Sequence, residues 1–151
     1  MVLAKEDYID ITDSKLLKSI KQRDWKKVEA IIDSEEGKEL ATIRDAFDNV
    51  PLHAAIGYQA PDDIILRLLD IYPDGCKVNG TDERLPLHIA SMWGSSPRVV
   101  EALILAHPHG LDDVGEGGLK GRTPRYFAPN QPHLKDLLER PTEEWIELYQ
   151  G

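Results

Sequence analysis

The sequence predicts an all-α chain, a solenoid of about four helix–turn–helix units closed by a short C-terminal helix. Three observations carry that expectation. Residues 51–55 read Pro-Leu-His-Ala-Ala and residues 86–90 read Pro-Leu-His-Ile-Ala, 35 positions later. Beyond that pentapeptide further blocks stay in register: Ile64-Ile65 with Val99-Val100, Leu68-Leu69 with Leu103-Ile104, and Tyr72-Pro73-Asp74-Gly75 with His107-Pro108-His109-Gly110. Prolines and glycines divide each period into two stretches of helical length.

Residues 1–12 form an N-terminal extension. A first unit, about 13–45, places Leu16, Leu17 and Ile20 before Trp25, Val28, Ile31 and Ile32. Its polar remainder suits a terminal unit, which must face water on one side. In the next unit, about 46–80, Pro51 stands in the first turn of a helix, where a missing N–H costs nothing. Leu52, Ala54 and Ala55 let that helix pack closely. Pro61 opens a second helix with Ile64, Ile65, Leu68 and Leu69 at helical spacing, and Gly75 ends it. The unit at about 81–118 repeats the plan through Pro86, Leu87, Ile89 and Ala90, then Ser96 as N-cap, Pro97, Val99, Val100, Leu103 and Ile104, ending at Gly110.

A further unit, about 119–140, opens at Gly121-Arg122-Thr123-Pro124-Arg125-Tyr126-Phe127-Ala128, 38 residues after Pro86. The added residues fall in the loop Gly115-Glu116-Gly117-Gly118. Its second helix runs from Pro132 to Arg140 with Leu134, Leu137 and Leu138 inward. Residues 141–151 read as a closing helix, capped by Thr142 and carrying Trp145, Ile146, Leu148 and Tyr149. One such unit cannot bury both its faces, so neighbours must stack.

On these residues the chain resembles the ankyrin-repeat family, whose units open Thr-Pro-Leu-His-x-Ala on a period near 33 residues. The motif stands here as Val50-Pro51-Leu52-His53-Ala54-Ala55, Leu85-Pro86-Leu87-His88-Ile89-Ala90 and Thr123-Pro124-Arg125-Tyr126-Phe127-Ala128. Only the last copy keeps the threonine, and it replaces the histidine by Tyr126. The turn position that is normally glycine holds Asp48, Glu83 and Gly121. Aspartate tolerates left-handed backbone moderately and glutamate poorly, so distortion is expected around Glu83. The resemblance implies an arc of paired helices with hairpin-like turns along one edge, and a binding scaffold as the functional class. It also implies that partners lie across the turns and first helices. The residues there are Phe47, Asn49, Gly57 and Tyr58, then Asp82, Arg84, Met92 and Trp93, then Lys120 and Arg122. Trp, Tyr and Arg dominate binding hot spots, which singles out Trp93, Tyr58 and Arg84.

Composition narrows the function. Eighteen Lys and Arg oppose 27 Asp and Glu, a net charge of −9, which disfavours nucleic-acid binding. Lys15, Lys18, Lys21, Lys26 and Lys27 read as one solvated face and Glu139, Glu143, Glu144 and Glu147 as another. The single cysteine, Cys76, permits no internal disulfide and no thiolate metal cage, which suits a reducing compartment such as cytoplasm or nucleus. An organelle lumen reached after removal of a transit peptide is also compatible. No run approaches a membrane span, and residues 1–10 lack the apolar centre of a signal peptide.

His53 and His88 recur in one slot of the repeat, and a repeat copies its scaffold; each imidazole is therefore expected to bond the backbone of its own turn. The competing reading makes them metal ligands or general bases in a metal-dependent or catalytic regulatory protein. His107, His109 and His133 lack a paired carboxylate and read as surface residues. Lys77 beside Cys76 would lower the thiol pKa on a reactive reading, and the competing reading is a buried, inert cysteine. There is no phosphate-binding glycine motif and no serine-nucleophile pattern. The sequence therefore points to a non-enzymatic adaptor, regulator or fixed subunit. It needs no cofactor and no metal and holds another protein, and self-association through an aromatic groove is also compatible.

Overall fold

The computed structural model describes residues 12–115 and 122–150, apart from the side chains of Tyr149 and Gln150. All regular structure among the described residues is helical: α1 (Lys15–Lys21), α2 (Trp25–Asp33), α3 (Gly37–Leu40), α4 (Pro51–Gly57), α5 (Asp62–Ile71), α6 (Pro86–Trp93), α7 (Pro97–Ala106), α8 (Lys135–Glu139) and α9 (Thr142–Gln150). Helices α1, α4, α6 and a 3-10 segment, Pro124–Asn130, pack in succession as one row. Helices α2, α5 and α7 form a second row behind it, with α8 and α9 against α7. None of the helices is long and apolar enough to cross a membrane.

The apolar spacing read from the sequence is the spacing of the core. Leu16, Leu17, Ile20, Val28, Ile64, Ile65, Leu68, Val99, Val100, Leu103, Ile104, Leu134 and Leu138 are buried, as is Trp145, while Trp25 and Leu137 pack half-buried at its edge. Each first helix ends in the same way. The N–H of Asp24, Ala60 and Ser95 reaches back to the carbonyl of Ser19, Ala55 and Ala90 at 3.0, 2.9 and 2.9 Å. The residue before each, Arg23, Gln59 and Gly94, takes the left-handed conformation with φ of 58°, 59° and 73°. This is the αL closure that usually recruits glycine, and only one of the three positions has it.

The loops ahead of α4 and α6 are also equivalent. The N–H of Asp45 bonds the carbonyl of Asn49 at 2.9 Å, and the N–H of Gly80 bonds that of Arg84 at 2.8 Å. Asp48 sits at φ 68°, whereas in the second loop both Asp82 and Glu83 are left-handed, at 57° and 59°. The distortion expected at Glu83 takes that form, two strained residues in place of one. Gly80 itself is required for space, because a Cβ there would lie 2.2 Å from the side-chain oxygen of Asn49.

Five expectations need correcting. Pro61 is the N-cap of α5, extended at ψ 146°, and the helix starts at Asp62. Gly75 and Gly110 do not end α5 and α7; the helices stop at Ile71 and Ala106, and the glycines lie inside 3-10 turns started by Pro73 and Pro108. The opening of the last unit is 3-10 because Pro129 sits within it, removing a donor and blocking α-helical continuation. Its second segment is likewise divided into a 3-10 turn, Pro132–Leu134, and α8. Thr142 is the first residue of α9 rather than its cap, and its hydroxyl donates to Asp112 Oδ2 at 2.5 Å.

Candidate functional site

A cleft of about 310 Å3 opens between the ends of α4 and α6 and the two loops before them. Phe47, Asn49, Gly57, Tyr58, Arg84, Met92 and Trp93 line it together with Lys21, Asp45 and His53. Trp93 closes α6 immediately before left-handed Gly94, so the chain turns away and leaves the indole 59% exposed. Phe47, on the tip of the first loop, is 61% exposed. Tyr58 is half-buried, with the Arg23 guanidinium 5.9 Å above its ring.

Other residues expected at this surface stand elsewhere or are engaged. The Asn49 amide joins the two loops, donating to Thr81 Oγ1 at 2.9 Å and accepting from the Thr81 N–H at 3.0 Å. Asp82 is exposed on the second loop and does not line the cleft; its carboxylate lies 3.6 Å from Arg84 Nη2. Arg122 is exposed outside the cleft and stacks over Tyr126 at 4.2 Å. Lys120 lies outside the described residues, as does Gly121.

Lys21 was expected on a solvated face and is instead buried at the edge of the cleft. Its Nζ bonds Asp13 Oδ2 at 2.9 Å and Asp45 Oδ2 at 3.2 Å, all three side chains being nearly inaccessible. Burial alone would pull the ammonium pKa down; the hydrogen bond it donates to Asp13 and the charge of Asp45 outweigh it and leave the pKa raised. The left-handed turns at Arg23, Gln59 and Gly94, 36 and 35 residues apart, place Lys21 in the slot of Gly57 and Met92; the 35-residue period of the sequence points instead to Gln22. Asp45 shapes the first loop, its Oδ1 accepting from the N–H groups of Phe47 and Asn49.

His53 lines the cleft and His88 holds the same place one unit on; both reach further than their own turn. His53 Nδ1 accepts from the Val50 N–H at 3.2 Å, which fixes the proton on Nε2; that N–H donates to the Arg84 carbonyl of the following unit at 3.0 Å. His88 repeats the arrangement with the Leu85 N–H at 2.9 Å and the Asp113 carbonyl at 2.9 Å. Both nitrogens of each ring are thus committed to backbone groups, and a metal ion would have to displace one. Burial pushes the His53 pKa down to about 4 and lowers that of His88, so both rings are neutral at pH 7.

Two further candidates, His133 and Cys76, are not available either. His133 Nε2 lies 3.1 Å from the carbonyls of Gly94 and Ser95. Burial raises the Cys76 pKa and outweighs the neighbouring Lys77 charge, which leaves a buried thiol rather than a reactive thiolate. Among the described residues no group of three or more His, Cys, Asp and Glu is placed to hold a metal ion.

No family model matches the chain, and no curated protein is similar to it.

Proposed function

We propose that this chain is an ankyrin-repeat binding module, an adaptor, regulator or non-catalytic subunit, that holds another protein in the cleft between the ends of α4 and α6. The observation that carries the reading is the exposure of Trp93 and Phe47 on the rim of one cleft that two successive units build together. Large aromatic side chains left in water at the mouth of a concavity supply the anchoring area that protein interfaces use. The recurrence of loop, first helix, αL turn and second helix supports the family reading independently of the sequence motif. Because the cleft is set by buried histidines and backbone hydrogen bonds, binding loses little conformational freedom on the scaffold side.

The test uses the exposed indole. Trp93 should dominate quenching of tryptophan fluorescence by acrylamide, since Trp145 is buried and Trp25 half-buried. A protein captured by the wild type should shield Trp93 from the quencher and should be lost from a folded Tyr58→Ala/Trp93→Ala variant. Retention of the same protein by the double variant places its site elsewhere and removes this reading of the cleft.

A further inference from the structure

The loop ahead of α6 carries the one Asn-Gly pair of the chain, Asn79-Gly80. In such a pair the asparagine is poorly protected from its own backbone, because glycine has no Cβ to keep its nitrogen away from the preceding side chain. That nitrogen attacks the side-chain amide carbon and ammonia leaves; water then opens the succinimide to aspartate or isoaspartate. Asn49 and Asn130, followed by Val50 and Gln131, have no such neighbour. Nor can this loop dispense with the glycine, since a Cβ at position 80 would collide with the Asn49 side-chain oxygen and crowd His53 Nε2.

In the folded loop both reacting groups are held. The Gly80 N–H, which must lose its proton before the nitrogen attacks, donates to the Arg84 carbonyl at 2.8 Å. The Asn79 Nδ2, which must leave, donates to the Glu83 carbonyl at 2.8 Å. Left-handed Asp82 and Glu83 bring both acceptors back to the start of the loop. Thr81 pins the loop to the preceding one, its N–H donating to Asn49 Oδ1 and its hydroxyl to the Phe47 carbonyl. Attack needs the nitrogen released and the side chain rotated, so these bonds must open first.

We propose that Asn79 is a site of spontaneous covalent modification that the folded loop holds shut, and that it deamidates only when this loop opens. Both reactants lie within one loop and water is the only co-reactant, so the reaction is independent of what the cleft holds. Its effect reaches the cleft nonetheless. Either product lacks the donor to Glu83, and isoaspartate also adds one carbon to the main chain, which breaks the register of the Gly80–Arg84 bond. Thr81 and Arg84, which line the cleft, and the carbonyl that His53 uses move with it.

The test incubates the full chain at mildly alkaline pH, folded and in guanidinium chloride, and follows the peptide holding 79–80 by mass spectrometry for conversion of amide to acid. Conversion in the folded chain is expected to be roughly tenfold or more slower, the factor that opening two hydrogen bonds imposes on the reactive population. Equal rates overturn the protection, and absence of conversion in guanidinium chloride overturns the site itself. Thr81→Val removes the hydroxyl bonds to Phe47 and Asn49 while keeping the side-chain shape. Across wild type and this variant, conversion at Asn79 should rise in proportion to hydrogen exchange of the Gly80 amide. A variant that exchanges faster and converts no faster, or converts faster with exchange unchanged, overturns the loop as the gate.

Discussion

In the two middle units a buried histidine joins the start of a helix to the loop of the unit that follows; after residue 122 the same slot is Tyr126, 48% exposed, and the joining is done by Arg125. That arginine stands where the motif has leucine. Its Nη1 donates to the carbonyls of Leu138 and Arg140 at 2.6 and 2.7 Å, its Nη2 to Thr142 Oγ1 at 2.8 Å, and its Nε to Asp112 Oδ1 at 3.1 Å. One guanidinium thereby caps the end of α8, fixes the start of α9 and ties both to the unit before. Each histidine uses the following loop as its hydrogen-bond acceptor; in the unit after residue 122 a fork of donors reaching in several directions stands in its place. The regular region is held by neutral groups repeated in register, the end by a charged group used once.

That difference is open to direct attack. The largest effect is expected from His88→Ala, which strands the Leu85 N–H and the Asp113 carbonyl and opens a cavity; stability to urea should fall by about 3–5 kcal/mol in one transition spanning all units. Arg125→Ala should cost less, roughly 2–3 kcal/mol. Its loss of hydrogen-exchange protection should be confined to 124–150; protection lost equally in α4 and α6 would show that the two regions are not separable.

Acid distinguishes them next. The folded pKa of His53 lies near 4, below its ordinary 6.5, so the unfolded chain binds the proton more readily. The stabilisation is complete above about pH 6.5 and declines as pH falls through that window, amounting to about 2 kcal/mol lost at pH 5. The hydroxyl of Thr142 and the Arg125 guanidinium overcome burial and hold the Asp112 carboxyl below its ordinary 3.8, so the terminal clasp weakens only in stronger acid. Urea midpoints at pH 7, 5 and 3.5, with His53→Gln as reference, separate the two; a His53→Gln chain with the wild-type slope between pH 7 and 5 contradicts the assignment. The smallest effect is a gain. Glu83→Gly relieves one left-handed residue and should add roughly 0.5–1 kcal/mol, read as a higher melting temperature.

The repeat was legible because its signals are local and duplicated. Pro51 and Pro86 begin helices, the apolar pairs at 64–65 and 99–100 face the core, and the unease of Glu83 in its turn follows from its side chain alone. The failures share a different cause. Lys21 looked like its solvated neighbours because nothing near it in sequence shows that Asp45, 24 residues on, will cover it. Arg125 gave no sign of its role because its partners at 112, 138, 140 and 142 belong to other elements. Pro129 was visible and sufficient to forbid an α-helix there. At the cleft, sequence slots brought Tyr58, Met92, Trp93, Phe47 and Arg84 together, but the engagement of Asn49 by Thr81 depends on three-dimensional placement.

The direction of the histidine bonds has a consequence for the chain as it is made. His53 is synthesised 31 residues before Arg84, whose carbonyl it needs, and His88 precedes Asp113 by 25. At ordinary translation rates of roughly 5–20 residues per second, each unit leaves the ribosome with its donor unanswered and waits seconds for the acceptor to follow. A chain in the course of synthesis therefore carries its newest histidine unanswered until the next loop emerges, and the Arg125 clasp likewise closes only after Leu138, Arg140 and Thr142 have followed.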